Sequence, residues 1–208
     1  MTMLRARFTS LVERLGGTAE AGLRADELLA AWAEPARAYH GTSHLIDCLE
    51  RLDETVQGRP APLVEAALWY HDAIYDPRAS NNEERSARWA ARALGGLGVP
   101  GHAIDQVVRL ILLTRHTSPP KDSDGQLVCD IDLSILGRPW HEFHAYETAI
   151  RSEYAWVPDP AYRAARSEVL RALLERAALY GTRWYRERYE ARAHENLARS
   201  LVALAAEP

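Results

Sequence analysis

The sequence predicts an all-α fold, a single-domain compact helical bundle of the whole chain, 1–208. Three observations predict it. Apolar residues recur at three- and four-residue spacing through most of the chain. Residues that start and stop helices punctuate it at short intervals. The one segment with strand-like alternation, LVCDIDLSILG, has no visible partner strand, so it too is expected to be a short helix entered from a loop.

The elements follow in order. Over 3–16, Leu4, Phe8, Leu11 and Leu15 form one apolar stripe. Thr18 can cap a second helix, which Pro35 ends. A third starts near Thr42 or Ser43 and runs through Leu45, Cys48, Leu49 and Leu52, with its end marked by Gly58, Arg59 and Pro60. Pro62 suits the first turn of a fourth, LVEAALWYHDAIY, which is apolar nearly all round and therefore expected to be buried. The polar loop DPRASNNEE ends in an asparagine cap for helix 82–95, which Gly95 and Gly96 close. Residues 102–114 form another apolar helix, followed by the irregular stretch RHTSPPKDSDGQ. Helices over 139–156, 159–180 and 182–204 complete the set, separated by VPDP and Gly181.

Composition narrows the function. With 47% hydrophobic and 26% charged residues, the chain is ordinary globular protein rather than disordered. Its 25 basic and 29 acidic residues leave a formal net charge of −4, a poor footprint for a general nucleic-acid coat. Of the basic residues only Lys121 is lysine, so many guanidinium forks are present for phosphate or carboxylate. Cys48 and Cys129 are too few for a disulfide framework and are expected to be reduced, buried thiols. The charged N-terminal stretch lacks a signal-peptide apolar region, and no run of about 20 apolar residues is present. The expectation is a soluble, cytoplasmic protein with no membrane role.

Eight histidines set the chemical question. His102, His141, His144 and His194 lie among polar neighbours and are expected to be solvated or packing residues. His71-Asp72 differs, because it closes the most hydrophobic helix and so brings two ionisable groups to a place where burial is expected. Burying a charge is costly unless it is paired or bound to metal. His44 sits in the first turn of its own helix, aimed at the core, and His40 precedes it from the loop. Asp130 and Asp132 are carboxylates within an apolar segment. Imidazole with carboxylate is a ligand set for Zn, Mn, Fe or Ni.

A histidine, a His-Asp pair and a distant aspartate make an H…HD…D pattern. With it come the strings YHGTSHL, ALWYHDAIYD, NNEERSA, Thr114-x-His116, DIDLSILG, IRSEY and ARAHENL. On these, over about 35–200, the chain resembles the HD-domain superfamily of metal-dependent phosphohydrolases, and more closely bacterial predicted metal-dependent HD phosphohydrolases. The resemblance implies a core motif region at about 35–140 with C-terminal helices 139–205 packed on it. It implies that His44, His71 and Asp72 bind a divalent ion (Mn, Co, Ni, Fe, Zn or Mg), with Asp130 or Asp132 as the last ligand. It also implies that His40 and His116 belong to the site as substrate contacts or ligands of a second ion. Asp72 and His116 are the catalytic candidates. A Gly-Arg pair is expected after AYR; here it is Ala165-Arg166, which keeps an arginine for a phosphate role. The implied activity is hydrolysis of a small phosphomonoester or phosphodiester, such as a nucleotide. The alternatives are a metal- or nucleotide-binding module of the same type without turnover, and a metal-free helical interaction protein.

Overall fold

Helix signals in the sequence are met by helices along the chain. The computed structural model describes residues 2–18, 21–56 and 61–206, and among them it has ten α-helices, one 3-10 turn and no strand. The helices are α1 (Thr2–Arg14), α2 (Ala21–Trp32), α3 (Thr42–Val56), α4 (Pro62–Tyr70), α5 (Asn82–Gly96), α6 (Gly101–Leu113), α7 (Ser123–Asp132), α8 (Trp140–Glu153), α9 (Asp159–Leu174) and α10 (Arg183–Ala206). The 3-10 turn, Leu133–Gly137, follows α7 directly, so the ambiguous segment is helical. The expected stop at Gly58, Arg59 and Pro60 lies outside the described residues, as do the two residues between Thr18 and α2. Two compact units divide the chain, Met1–Val128 and Cys129–Pro208.

In the first unit α4 is the central element, packed against α1, α3, α5 and α6. That explains its composition: every residue from Val64 to Tyr70 is buried. Phe8 of α1 meets Trp69 edge-on at 5.3 Å, and the indole N–H of Trp32 donates to Trp69 O at 3.0 Å. One charge lies in this apolar surface. Glu65 is 4% exposed, and α1 answers it with Arg7 at 2.8 Å and Arg14 at 2.5 Å.

Helix α4 is five residues shorter than the apolar pattern predicts. It ends at Tyr70, and His71 to Tyr75 form the turn that follows. Two elements hold that turn. Ser86 of α5 accepts the N–H of Ile74 at 3.0 Å, and Asn82 bonds the backbone of Asp76 in both directions, at 3.2 and 2.9 Å. The NNEERSA string thus anchors the segment that carries the His-Asp pair. Helix α5 runs through Gly95 and Gly96 and stops at Gly98, whose φ is +75°. Val99 N–H bonds Leu94 O and Gly98 N–H bonds Gly95 O, a Schellman closure that needs the left-handed glycine.

Helix α7 starts earlier than expected, because Asp122 caps it: its Oδ1 accepts Gly125 N–H at 3.0 Å while Arg109 of α6 pairs with the same carboxylate at 2.7 Å.

In the second unit α10 packs against α9 and the 3-10 turn. Gly137 is required there, since a Cβ would lie 2.5 Å from the Cβ of Tyr189. Asn196, from the ARAHENL string, donates to Leu136 O and Arg138 O, both at 2.8 Å. Helix α9 ends at Leu174, six residues before the expected stop. The irregular link that replaces its last turns is held by carboxylates: Glu190 accepts the N–H groups of Leu179 and Tyr180 at 2.7 and 3.2 Å, and Asp130 those of Gly181 and Thr182, both at 2.7 Å.

Candidate metal centre

His44 enters from the first turn of α3 and is 3% exposed; His71 caps the C-terminus of α4 and is 1% exposed. Their Nε2 atoms lie 3.1 Å apart. Asp72 Oδ2 lies 3.2 Å from His71 Nε2 and 3.8 Å from His44 Nε2. The structure therefore brings together three of the residues singled out in the sequence.

The protonation of His71 follows from its other nitrogen. Nδ1 sits 2.9 Å from Leu68 O, a group that only accepts, so Nδ1 carries the hydrogen. A neutral His71 then presents a lone pair at Nε2, the form in which histidine binds metal. Two imidazole nitrogens and a carboxylate oxygen converging this closely need a proton or a cation among them. Tetrahedral zinc with bonds of about 2.0–2.2 Å to nitrogen and oxygen places its ligand atoms about 3.3 Å apart. The observed separations of 3.1 and 3.2 Å fit, and 3.8 Å is within reach of a small side-chain adjustment. The C-terminal end of α4, at His71, also favours positive charge.

One buried neighbour of the cluster was not singled out in the sequence as a donor. Cys48, one turn after His44 on α3, is fully buried, with Sγ 3.7 Å from His44 Nε2. One donor atom each from His44, Cys48 and His71 lie within 4.8 Å of one another, a buried group that can hold a metal ion. The one sequence signal that could have pointed to it is its four-residue spacing from His44 on one helix face.

Arg37 was also missed. Its side chain, 3% exposed, donates to Asp72 O at 2.5 Å, Ala73 O at 3.1 Å and His40 O at 3.4 Å, and pairs with Glu34 at 3.0 Å. It holds the loop before α3 to the turn after α4. Nothing in its sequence context marks it, because its partners are backbone carbonyls of a distant turn.

The remaining candidates divide by place. His40 is half-buried beside the cluster: its ring stacks on Tyr75 at 4.1 Å and lies 6.0 Å from the His44 ring. His116 follows α6 with φ +54°, a left-handed conformation uncommon outside glycine, and its N–H bonds Leu113 O at 3.0 Å. Asp130, Asp132 and Arg166 belong to the second unit. Both oxygens of Asp130 accept the Gly181 and Thr182 amides. Burial pushes its carboxyl above the ordinary value, against the pull of Thr182 and Gly181. Asp132, half-buried, ends α7. Arg166 pairs with Glu147 and donates to Tyr146 Oη at 2.9 Å, so its guanidinium serves a buried network.

The residues read as solvated behave so: His141 is 81% exposed, and His194 pairs with Glu190 at 3.2 Å on its own helix. Arg151 pairs with Asp159 and lies over the Tyr162 ring at 4.6 Å. It lines a recess of about 370 Å³ with Trp140, His144, Glu147 and Tyr162, in which both Arg151 and Glu147 are already paired. No helix among the described residues is long and apolar enough to cross a membrane. Comparison with known protein families, with curated proteins and with solved structures finds no match for this chain.

Proposed function

We propose that the protein is a metal-dependent phosphohydrolase of the HD type, acting on a small phosphomonoester or phosphodiester such as a nucleotide, with His44, His71 and Asp72 holding the ion. The observation that carries this is the convergence of His44 Nε2, His71 Nε2 and Asp72 Oδ2 within 3.8 Å of one another. The resemblance of YHGTSHL, ALWYHDAIYD and NNEERSA to that superfamily supports it from the sequence side. Imidazole and carboxylate suit Mn, Fe, Co, Ni or Zn better than Ca.

When bound, such an ion supplies Lewis acidity toward a phosphoryl oxygen and toward the attacking water. The chain's own residues do the rest. The Nδ1–H of His71 on Leu68 O fixes the ring so that Nε2 faces the site. The carboxylate of Asp72, half-buried and beside both imidazoles, orients the attacking water and accepts its proton. His40, held by its stack on Tyr75, contacts the substrate at the edge of the cluster. His116 contacts the phosphate or protonates the leaving oxygen.

The test is a matrix of p-nitrophenyl phosphate, its bis-ester and a nucleotide panel against Mn, Co, Ni, Mg and Zn. Turnover should require the ion and vanish in His71→Ala and Asp72→Ala, while His141→Ala and His144→Ala keep it. A loaded protein that hydrolyses nothing yet binds a nucleotide by calorimetry would sink the enzyme reading and leave a binding module.

A further inference from the structure

We infer that the recess among α8, α9 and α10 is a binding site for a small uncharged heteroaromatic molecule that carries a hydrogen-bond donor beside an acceptor, as a nucleobase or nucleoside does. All its lining residues belong to the second unit, so the inference stands apart from the metal centre.

Helical spacing builds the recess. Trp140, His144, Thr148 and Arg151 lie at four-, four- and three-residue steps down one face of α8. Helix α10 adds Ala203 and Leu204 as hydrocarbon wall, and the first turn of α9 adds Tyr162. The volume of about 370 Å³ lies in the range of small-molecule pockets, roughly 300–1,000 Å³.

Tyr162 points to a ligand. It is 8% exposed, yet its hydroxyl has no hydrogen-bond partner among the described residues. A buried phenol ordinarily finds one. Burial, against the pull of Arg166, pushes its pKa up to about 12, so the hydroxyl keeps a hydrogen to donate. Two further hydroxyls complement it. Ser200 Oγ donates to Glu147 at 3.1 Å and Thr148 Oγ1 to His144 O at 3.0 Å, so each has its lone pairs left to accept. The recess thus offers one donor and two acceptors within aromatic and hydrocarbon walls.

Its fixed charges exclude an ion. Arg151 and Arg163 balance Glu147 and Asp159. The Arg151 fork is engaged by Asp159, Tyr154 O and Val157 O, and Glu147 by Arg166 and Ser200. A charged ligand would enter without a counter-charge, which is costly.

The experiment is amide-resolved NMR of the full, nitrogen-labelled chain in chelator, which keeps the metal centre out of the reading. The probes are adenine, adenosine, adenosine monophosphate and glucose. Adenine and adenosine should shift the Thr148 and Ala203 amides saturably, and glucose, which has no aromatic ring, should not. Adenosine monophosphate should bind no more tightly than adenosine. Tyr162→Phe should weaken adenosine by about two- to tenfold, the worth of one hydrogen bond. Ala203→Trp, at an exposed position, should fill the recess and abolish the shifts with the thermal midpoint unchanged. No shift with adenine or adenosine overturns the site, and so do shifts that survive Ala203→Trp. Tighter binding of the monophosphate overturns the uncharged class, and full affinity in Tyr162→Phe overturns the role of the hydroxyl. The wild-type shifts do not depend on any variant folding.

Discussion

One guanidinium joins the two segments that carry the centre. Arg37 donates to three backbone carbonyls, two of them in the turn of Asp72, and is packed beside the Trp32 and Tyr75 rings at 6.0 Å. Removing it leaves buried carbonyls without their donor, at a cost of about 2–3 kcal/mol. Arg37→Ala should therefore lower the urea midpoint and, by loosening Asp72, weaken zinc binding by about 10–100-fold. Arg37→Lys should recover charge but not the forked geometry, and so restore little of either. Stability lost with zinc affinity unchanged would mean that Arg37 does not position the centre. Asp130 makes the opposite case. Its oxygens serve the amides of Gly181 and Thr182, so Asp130→Asn should keep the wild-type ion content and lose about 1–3 kcal/mol of stability, because an amide offers one acceptor where two are used. Loss of the ion in this variant, measured by elemental analysis, would make Asp130 rather than Asp132 the expected last ligand.

At the scale of elements, the cap of α7 gives a pH prediction. The Gly125 amide, then the Arg109 guanidinium, hold the Asp122 carboxyl below its ordinary value. A depressed carboxylate contributes stability that is present above its ordinary value and lost as pH falls through the depressed one. Asp122→Ala should cost about 1 kcal/mol near neutrality, the usual worth of such a cap, and less in acid, as urea titrations at the two pH values would read. A penalty independent of pH would show that the carboxylate charge is not what caps α7. The same elements show what was legible in the sequence. Apolar spacing located the helices, and the burial of α4 followed from its lack of a polar face. The ends of α4 and α9 were not legible. Both are set by partners far along the chain: Arg37 and Ser86 for the turn after α4, Glu190 and Asp130 for the link after α9. Local propensity contains no term for a carboxylate or guanidinium that arrives from elsewhere. Of the cluster, His71 and Asp72 were legible because two ionisable groups closed an apolar helix, and His44 through the resemblance carried by YHGTSHL. Cys48 was not, since a buried thiol in a helix stripe reads as packing.

At the scale of the whole chain, composition indicated a globular protein and apolar spacing a helical one, but neither indicated the division at Val128 and Cys129, which falls inside α7 and carries no linker composition. His44, Cys48, His71 and Asp72 all belong to Met1–Val128. An ion bound there should stabilise that unit by mass action, by about 4 kcal/mol at a free concentration a thousand times Kd. Calorimetry with zinc and with a chelator should show the shift, and His71→Ala should abolish it. An unchanged trace on adding zinc would argue against a folded-state site.

The four carboxylate-held amides from Leu179 to Thr182 have a consequence for exchange with solvent deuterium. A stretch outside any helix ordinarily exchanges fast, because its N–H groups face water. Here each is tied to an oxygen of Glu190 or Asp130, so the link should exchange as slowly as the helix interiors beside it. Asp130→Ala should release Gly181 and Thr182 while Leu179 and Tyr180 stay protected, a break in labelling between two adjacent residues of an irregular segment.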